Sequence, residues 1–251
     1  MRSRARLGLG RPSEAVVCPI TMPRDPTRNL NVKALGGILC VLLVMAALLF
    51  LPAWTIDYWQ AWTFLSEFGV FALGITLYLM KKDPELLQRR VCAGPMAEKE
   101  TSQRIIQTIT SAGFDAMLVV PALDHRFVWS PVPPTASLAG DALVAFGFVI
   151  VFHVFKENSF ASGIVEVAPE QRVISTGLYA LVRHPMYLGG ASWLIGMALA
   201  LGSWFGLLIF LLIVPALIWR IVDEERLLSR DLPGYAEYCH KVRYRLVPFV
   251  W

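Results

Sequence analysis

"PMYLGGASWLIGMALALGSWFGLLIFLLIVPALIW", residues 185–219, runs for 35 residues without a charge. As one helix it would extend about 52 Å, far beyond a hydrocarbon core of about 30 Å, while two full spans would need a little more chain. "LGSWFG" at 201–206 supplies a break, so the run reads as a tight hairpin of two short membrane helices. Outward from it, the rest of the chain follows the same pattern. Residues 34–56 carry no charge and hold a first span at about 34–52. The run 58–80 holds only Glu67, and 105–123 holds only Asp115. A further span covers about 137–155 and ends at Lys156. The chain is 56% hydrophobic and 17% charged, too apolar for an ordinary water-soluble domain of 251 residues. The expected fold is therefore an all-α integral membrane protein of about six transmembrane helices, with both termini cytosolic.

Three regions follow: a disordered basic tail at 1–30, four transmembrane helices at 31–155, and a region at 156–251 that carries the polar motifs and the hairpin. The tail has no apolar core of signal-peptide length, and Met22 is an alternative start. Four cysteines, Cys18, Cys40, Cys92 and Cys239, form no short-range pair, so neither a disulfide framework nor a metal site is expected.

Formal net charge is +4. In a soluble protein such a balance would raise the question of nucleic acid; here it is tested against topology. With six spans and an inner N-terminus, 22 of the 23 Lys and Arg residues fall on the cytosolic side, and Arg126 is the exception. That bias accounts for the basic character without nucleic acid and sets the orientation. It also places "RHPMY" and everything after Arg220 on one face.

Two clusters meet there. Tyr179, Arg183, His184 and Tyr187 open the first hairpin helix, and Asp223, Glu224 and Glu225 close the second. Because the two helices form a hairpin, their inner ends are neighbours. Glu224 and Glu225 point about 100° apart around a helix, so they serve two partners rather than one atom. Those partners are a ligand's ammonium and hydroxyls, or one ligand contact and one ion pair with Arg183 or Arg226. Pro185 suits a first helical position, and Gly189 and Gly190 suit close packing of the hairpin. Charged and aromatic residues are also ordinary interface anchors at such a place. Glu67, Asp115 and His153 are polar groups at membrane depth, with His153 the best placed to approach the inner face.

"GLYALVRHPMYLGG" at 177–190, a hydrophobic hairpin and then "DEERLL" at 223–228 resemble the signature of the isoprenylcysteine carboxyl methyltransferase family and its relatives, which include phospholipid methyltransferases. "RVISTG" before it and "LPGYAEYCHKVRYRLVPFVW" after it are similar to the same pattern. The resemblance implies S-adenosylmethionine as methyl donor, held by Gly177, Tyr179, Val182, Arg183, His184, Pro185, Tyr187, Glu224 and Glu225. Arg243, Tyr244 and Arg245 are then candidates for orienting the acceptor. Carboxylates beside hydrogen-bond donors and aromatic faces suit a zwitterion, two ribose hydroxyls and a sulfonium. Methyl displacement asks the protein for alignment in a dry site and needs no covalent nucleophile. The expected acceptor is hydrophobic or lipid-like and arrives from the bilayer. A prenylated cysteine carboxylate, a phospholipid amine, a thiol and an isoprenoid acid all stay open, as does the oligomeric state.

Two other readings compete. Sterol reductases bind a nicotinamide cofactor and carry an RHP-type motif, but they are larger and have more spans. A scaffold or transporter subunit would use "RHPMY" and "DEER" only to lock the hairpin, and would bind no cofactor.

Overall fold

A segment that crosses hydrocarbon must satisfy its own backbone, and each long apolar run of this chain accordingly becomes a helix. The structure is a computed structural model that describes residues 26–91, 93–98, 100–168 and 170–251. In chain order the helices are α1 (Pro26–Ala53), α2 (Trp59–Lys82), α3 (Pro84–Val91), α4 (Thr101–Phe127), α5 (Pro134–Glu157), α6 (Pro185–Ala200), α7 (Trp204–Asp231) and α8 (Tyr235–Lys241). The only β pairing among the described residues is an isolated bridge between Pro131 and Ser203. Five helices, α1, α2, α4, α5 and α7, are long and apolar enough to cross a membrane. The sixth apolar helix, α6, has 16 residues and extends about 24 Å.

Two differences from the sequence reading have physical reasons. Helix α1 starts at Pro26, so part of the stretch taken as tail is helical; residues 1–25 lie outside the described residues. The polar "PELLQRRV" is an amphipathic helix, α3, that buries Leu86 and Leu87 while Arg89 and Arg90 close its last turn. Its length of 8 residues is too short for periodicity to stand out from a loop. Helix α7 is the longer arm of the hairpin and runs for 28 residues through "RIVDEERLL", as expected for a second hairpin helix that continues past the apolar run.

The main core joins Met45, Leu49, Phe64, Met117, Val144 and Met197 from five helices. A second cluster sits at the end of the bundle that carries "RHPMY", here the site end, where Ala34, Leu79, Leu86, Val154 and Ala161 pack together. The opposite end is locked by polar contacts. The Tyr58 hydroxyl donates to the Leu201 carbonyl at 2.6 Å, and buried Asp124 accepts from the Ser130 amide at 2.7 Å and from the Ser203 hydroxyl. Ser203 also caps α7, accepting from the Gly206 amide at 3.3 Å.

Glycine sets the closest helix approach. A Cβ on Gly147 would lie 2.6 Å from the Gly189 carbonyl oxygen, and one on Gly140 would lie 2.3 Å from the Ala200 nitrogen. Gly140 with Gly147, and Gly189 with Gly196, recur at a seven-residue spacing, so each pair lies on one helix face. Small residues of this kind let backbones meet in hydrocarbon, where apolar contact alone gives no preference for protein over lipid. Gly189 therefore packs against α5, not against the hairpin partner, and Gly190 faces open space.

Gly147→Leu is expected to force α5 from α6 and lower stability by about 1–3 kcal/mol or more, whereas Gly190→Ala stays close to wild type. Thermal unfolding of the detergent-purified variants measures this, and equal melting of the two would contradict the seam.

Candidate functional site

Pro185 occupies the first turn of α6, where no intrahelical N–H is lost. The two residues before it leave the helix and pair with the C-terminal segment. Arg183 and His184 donate their amides to the carbonyls of Tyr244 and Arg245, each at 2.9 Å. The Arg183 side chain continues the contact, donating from Nε to the Val242 carbonyl at 2.7 Å and from Nη2 to the carbonyls of Cys239 and Arg243. Its Nη1 reaches Glu225 Oε1 at 3.0 Å. Glu225, near the end of α7, also meets His184 Nε2 at 3.3 Å and Arg245 Nε at 2.8 Å. Its two oxygens are thus shared among three basic side chains, one of which, Arg245, stacks over the Trp251 ring.

The neighbouring carboxylate does something else. Tyr187, in the first turn of α6, donates its hydroxyl to Glu224 Oε2 at 2.6 Å. Arg220, one turn before Glu224, donates from Nε to the same hydroxyl at 3.1 Å. Its other nitrogens reach Gln103 Oε1 at 3.1 Å and Glu98 Oε1 at 2.9 Å. Gln103 in turn donates to Asp223 Oδ2 at 2.6 Å. Glu98 is 2% exposed and Gln103 1%, so this ion pair and its bonds are withdrawn from water and every donor is matched.

Above the network opens a cleft continuous with solvent. One wall is the loop after α5, including Phe160, Ile164 and Val173; the others are the start of α6, the end of α7 and α8. Asn158 donates to the Tyr179 hydroxyl at 2.9 Å, and Tyr238 donates to the Tyr179 carbonyl at 2.7 Å. Burial pushes the Tyr179 phenol up to about 12, and burial likewise raises Tyr235 and Tyr238. All three present neutral rings at physiological pH. On α3, Arg90 donates to the Ser162 carbonyl at 3.1 Å and lies over the Phe155 ring, which ties the cleft loop to α5. Burial pushes Arg90 down to about 10, so it stays cationic at neutral pH.

Of the residues expected to bind a cofactor, Tyr179, Arg183, His184, Pro185, Tyr187 and Glu224 line this cleft. Gly177, Val182 and Glu225 stand behind it. Gly177 has φ +53° beneath Glu157, and a Cβ there would lie 1.8 Å from that carboxylate; Val182 is 2% exposed. Arg243, Tyr244 and Arg245 do not line the cleft: the first contributes its carbonyl to Arg183, the second packs on Phe249, and the third is held by Glu225. His153 faces outward from α5, with Nδ1 2.8 Å from the Val149 carbonyl of its own helix, and does not approach the cleft. Sequence reading missed Glu98 and Gln103, whose pairing with Arg220 spans more than a hundred residues and leaves no local signal. Tyr235 and Tyr238, which also line the cleft, were missed too, although the aromatic pair three apart in "PGYAEYC" is a signal that could have found them.

The phospholipid methyltransferase family model matches residues 135–232, which run from α5 through the cleft loop and α6 to the end of α7. The matched family is one of membrane methyltransferases.

Arg183→Lys keeps the charge but loses the planar fork that reaches four acceptors. Loss of hydrogen bonds to this charged group costs about 2 kcal/mol. Amide exchange at residues 239–251 should accelerate about tenfold or more while the α5–α6 core stays protected; an unchanged profile would contradict the clamp.

Proposed function

We propose that this chain, whose residues 135–232 carry the phospholipid methyltransferase family domain, is an S-adenosylmethionine-dependent methyltransferase acting on a hydrophobic or membrane-associated acceptor at the cytosolic face. The observation that carries the reading is Glu224: Tyr187 fixes one of its oxygens at 2.6 Å, and the residue lines a cleft walled by neutral phenols. A carboxylate so held attracts a ligand's cation or accepts from its hydroxyls, and phenol faces favour a sulfonium. Arg172 lies at the rim with no described protein partner, a suitable counterpart for a ligand carboxylate. Phe160, Ile164 and Val173 offer apolar contact to a flat base. The donor set therefore fits S-adenosylmethionine.

When bound, that cofactor supplies an electrophilic methyl on a cationic sulfur, which becomes a neutral thioether as the methyl leaves. The chain's own part is placement. Tyr187 and Arg220 hold Glu224 in one orientation, so the carboxylate does not reorganise when a ligand arrives. Glu225 acts at one remove, through Arg183, by fastening the C-terminal segment that carries Arg243, Tyr244 and Arg245 beside the cleft. Beneath the cleft Glu98 and Gln103 are withdrawn from water, which strengthens the charged contacts that steady Glu224 through Arg220 and Tyr187. The cytosolic placement rests on the sequence count, in which a topology of six spans puts 22 of the 23 Lys and Arg residues on the cytosolic side.

Calorimetry on the detergent-purified chain tests the proposal. Wild type should bind S-adenosylmethionine, and Glu224→Gln should weaken binding about tenfold or more with unchanged melting. Tyr187→Phe should lose less, because it frees the carboxylate without removing it, and Arg126→Ala at the opposite end should bind as wild type. Binding of NADPH in place of S-adenosylmethionine would put a reductase first; binding of neither would leave a scaffold.

A further inference from the structure

Gln107, Ser111 and Asp115 succeed one another at four-residue steps along α4, so they share one helix face. They line a groove between α4 and α1, opposite Val41, Val44 and Leu48. No residue lining this groove lines the cleft described above. Asp115 is exposed and lies about 21 Å along α4, near the middle of its 27 residues. Among the described residues, none of the three side chains has a hydrogen-bond or ion-pair partner.

Such a row is costly in hydrocarbon. A carboxyl group facing the bilayer at mid-depth needs a partner, and an amide and a hydroxyl one and two turns away add to the requirement. Among the described residues no cation lies at that depth. Lys33, Arg104 and Arg126 sit near the ends of α1 and α4. Arg220 lies deeper, but it is 8% exposed and committed to Glu98, Gln103 and Tyr187. The described residues of a second copy, with the same distribution of charge, bring no free cation to that depth either. The groove's own chemistry fits a ligand: a carboxylate with an amide and a hydroxyl beside it takes a cationic head, and the aliphatic opposite wall takes a hydrocarbon chain.

We infer that the α1–α4 groove binds a lipophilic ammonium, with its cationic head at Asp115 and its hydrocarbon along Val41, Val44 and Leu48. Polar atoms of the head meet Ser111 and Gln107. The same face of α4 continues to Gln103, which bonds Arg220 and Asp223 beneath the cleft. The site stands independently of the acceptor used in methyl transfer.

The test uses the full chain in detergent and a photoreactive long-chain alkylammonium, beside the matched alcohol of equal chain length, with labelled peptides mapped by mass spectrometry. The ammonium should label residues 41–48 and 107–118 about tenfold more than the alcohol does, and excess unlabelled alkylammonium should suppress the labelling. Asp115→Asn, checked for wild-type elution and melting, should bring the ammonium down to the level of the alcohol. Equal labelling of wild type by the two probes would overturn the inference without reference to any variant. So would a wild-type dimer that Asp115→Asn separates, since the groove would then be an interface between copies.

Discussion

Glu225 is the contact on which the site end depends. A single carboxylate takes Arg183 from the start of the cleft-facing turn, His184 from the cap of α6 and Arg245 from the C-terminal segment. Removing two charges from water is repaid only when geometry is close and the remaining donors are matched. Arg183 meets that condition, because its other nitrogens end on three backbone carbonyls. The consequence is mechanical. A segment rich in exposed side chains, with Phe249 88% exposed, is held against two membrane helices with little apolar burial of its own.

Holding that segment lets the adjacent residue be different. Glu224 follows a helical step of about 100° from Glu225, so the same turn of α7 presents one carboxylate to the clamp and the other to the cleft. Only Tyr187 donates to Glu224 among the bonds described, and Tyr187 is itself steadied by Arg220. An acidic pair in sequence is thus one fastening and one exposed acceptor. The divergence is why the pair does not act as a dyad on a single atom.

Much of this was legible. Uncharged runs gave the membrane helices, because a span needs about 20 apolar residues whatever surrounds it. The break at "LGSWFG" became the turn between α6 and α7, and of the two ion-pair partners that the 100° argument allowed, Arg183 and Arg226, the structure pairs Arg183 with Glu225. What stayed hidden depends on contacts distant in sequence. Gly189 looks the same whether it packs on α7 or on α5, and only the approach of Gly147 decides between them. Glu98 lies in a loop with no periodic context, so its buried pairing with Arg220 could not be read from its neighbours. The contacts of the C-terminal candidates are also distant in sequence: Arg243 lends its backbone carbonyl to Arg183, and the Arg245 side chain is held by Glu225.

The Glu98–Arg220–Gln103 network explains how the site tolerates its position between phases. Arg220 lies within α7, in the stretch following the apolar run, where an unpaired guanidinium would be costly. Its nitrogens end on a carboxylate, an amide oxygen and a phenol, drawn from the loop after α3, from α4 and from α6. Three separate segments must therefore be in place before the charge is satisfied. Replacing Arg220 by an apolar residue would leave Glu98, 2% exposed, without its cation, so a simple hydrophobic exchange does not preserve the fold. The network thereby couples assembly of the helix bundle to the orientation of Tyr187, and through Tyr187 to Glu224. The cleft takes its working geometry only from a bundle that has closed.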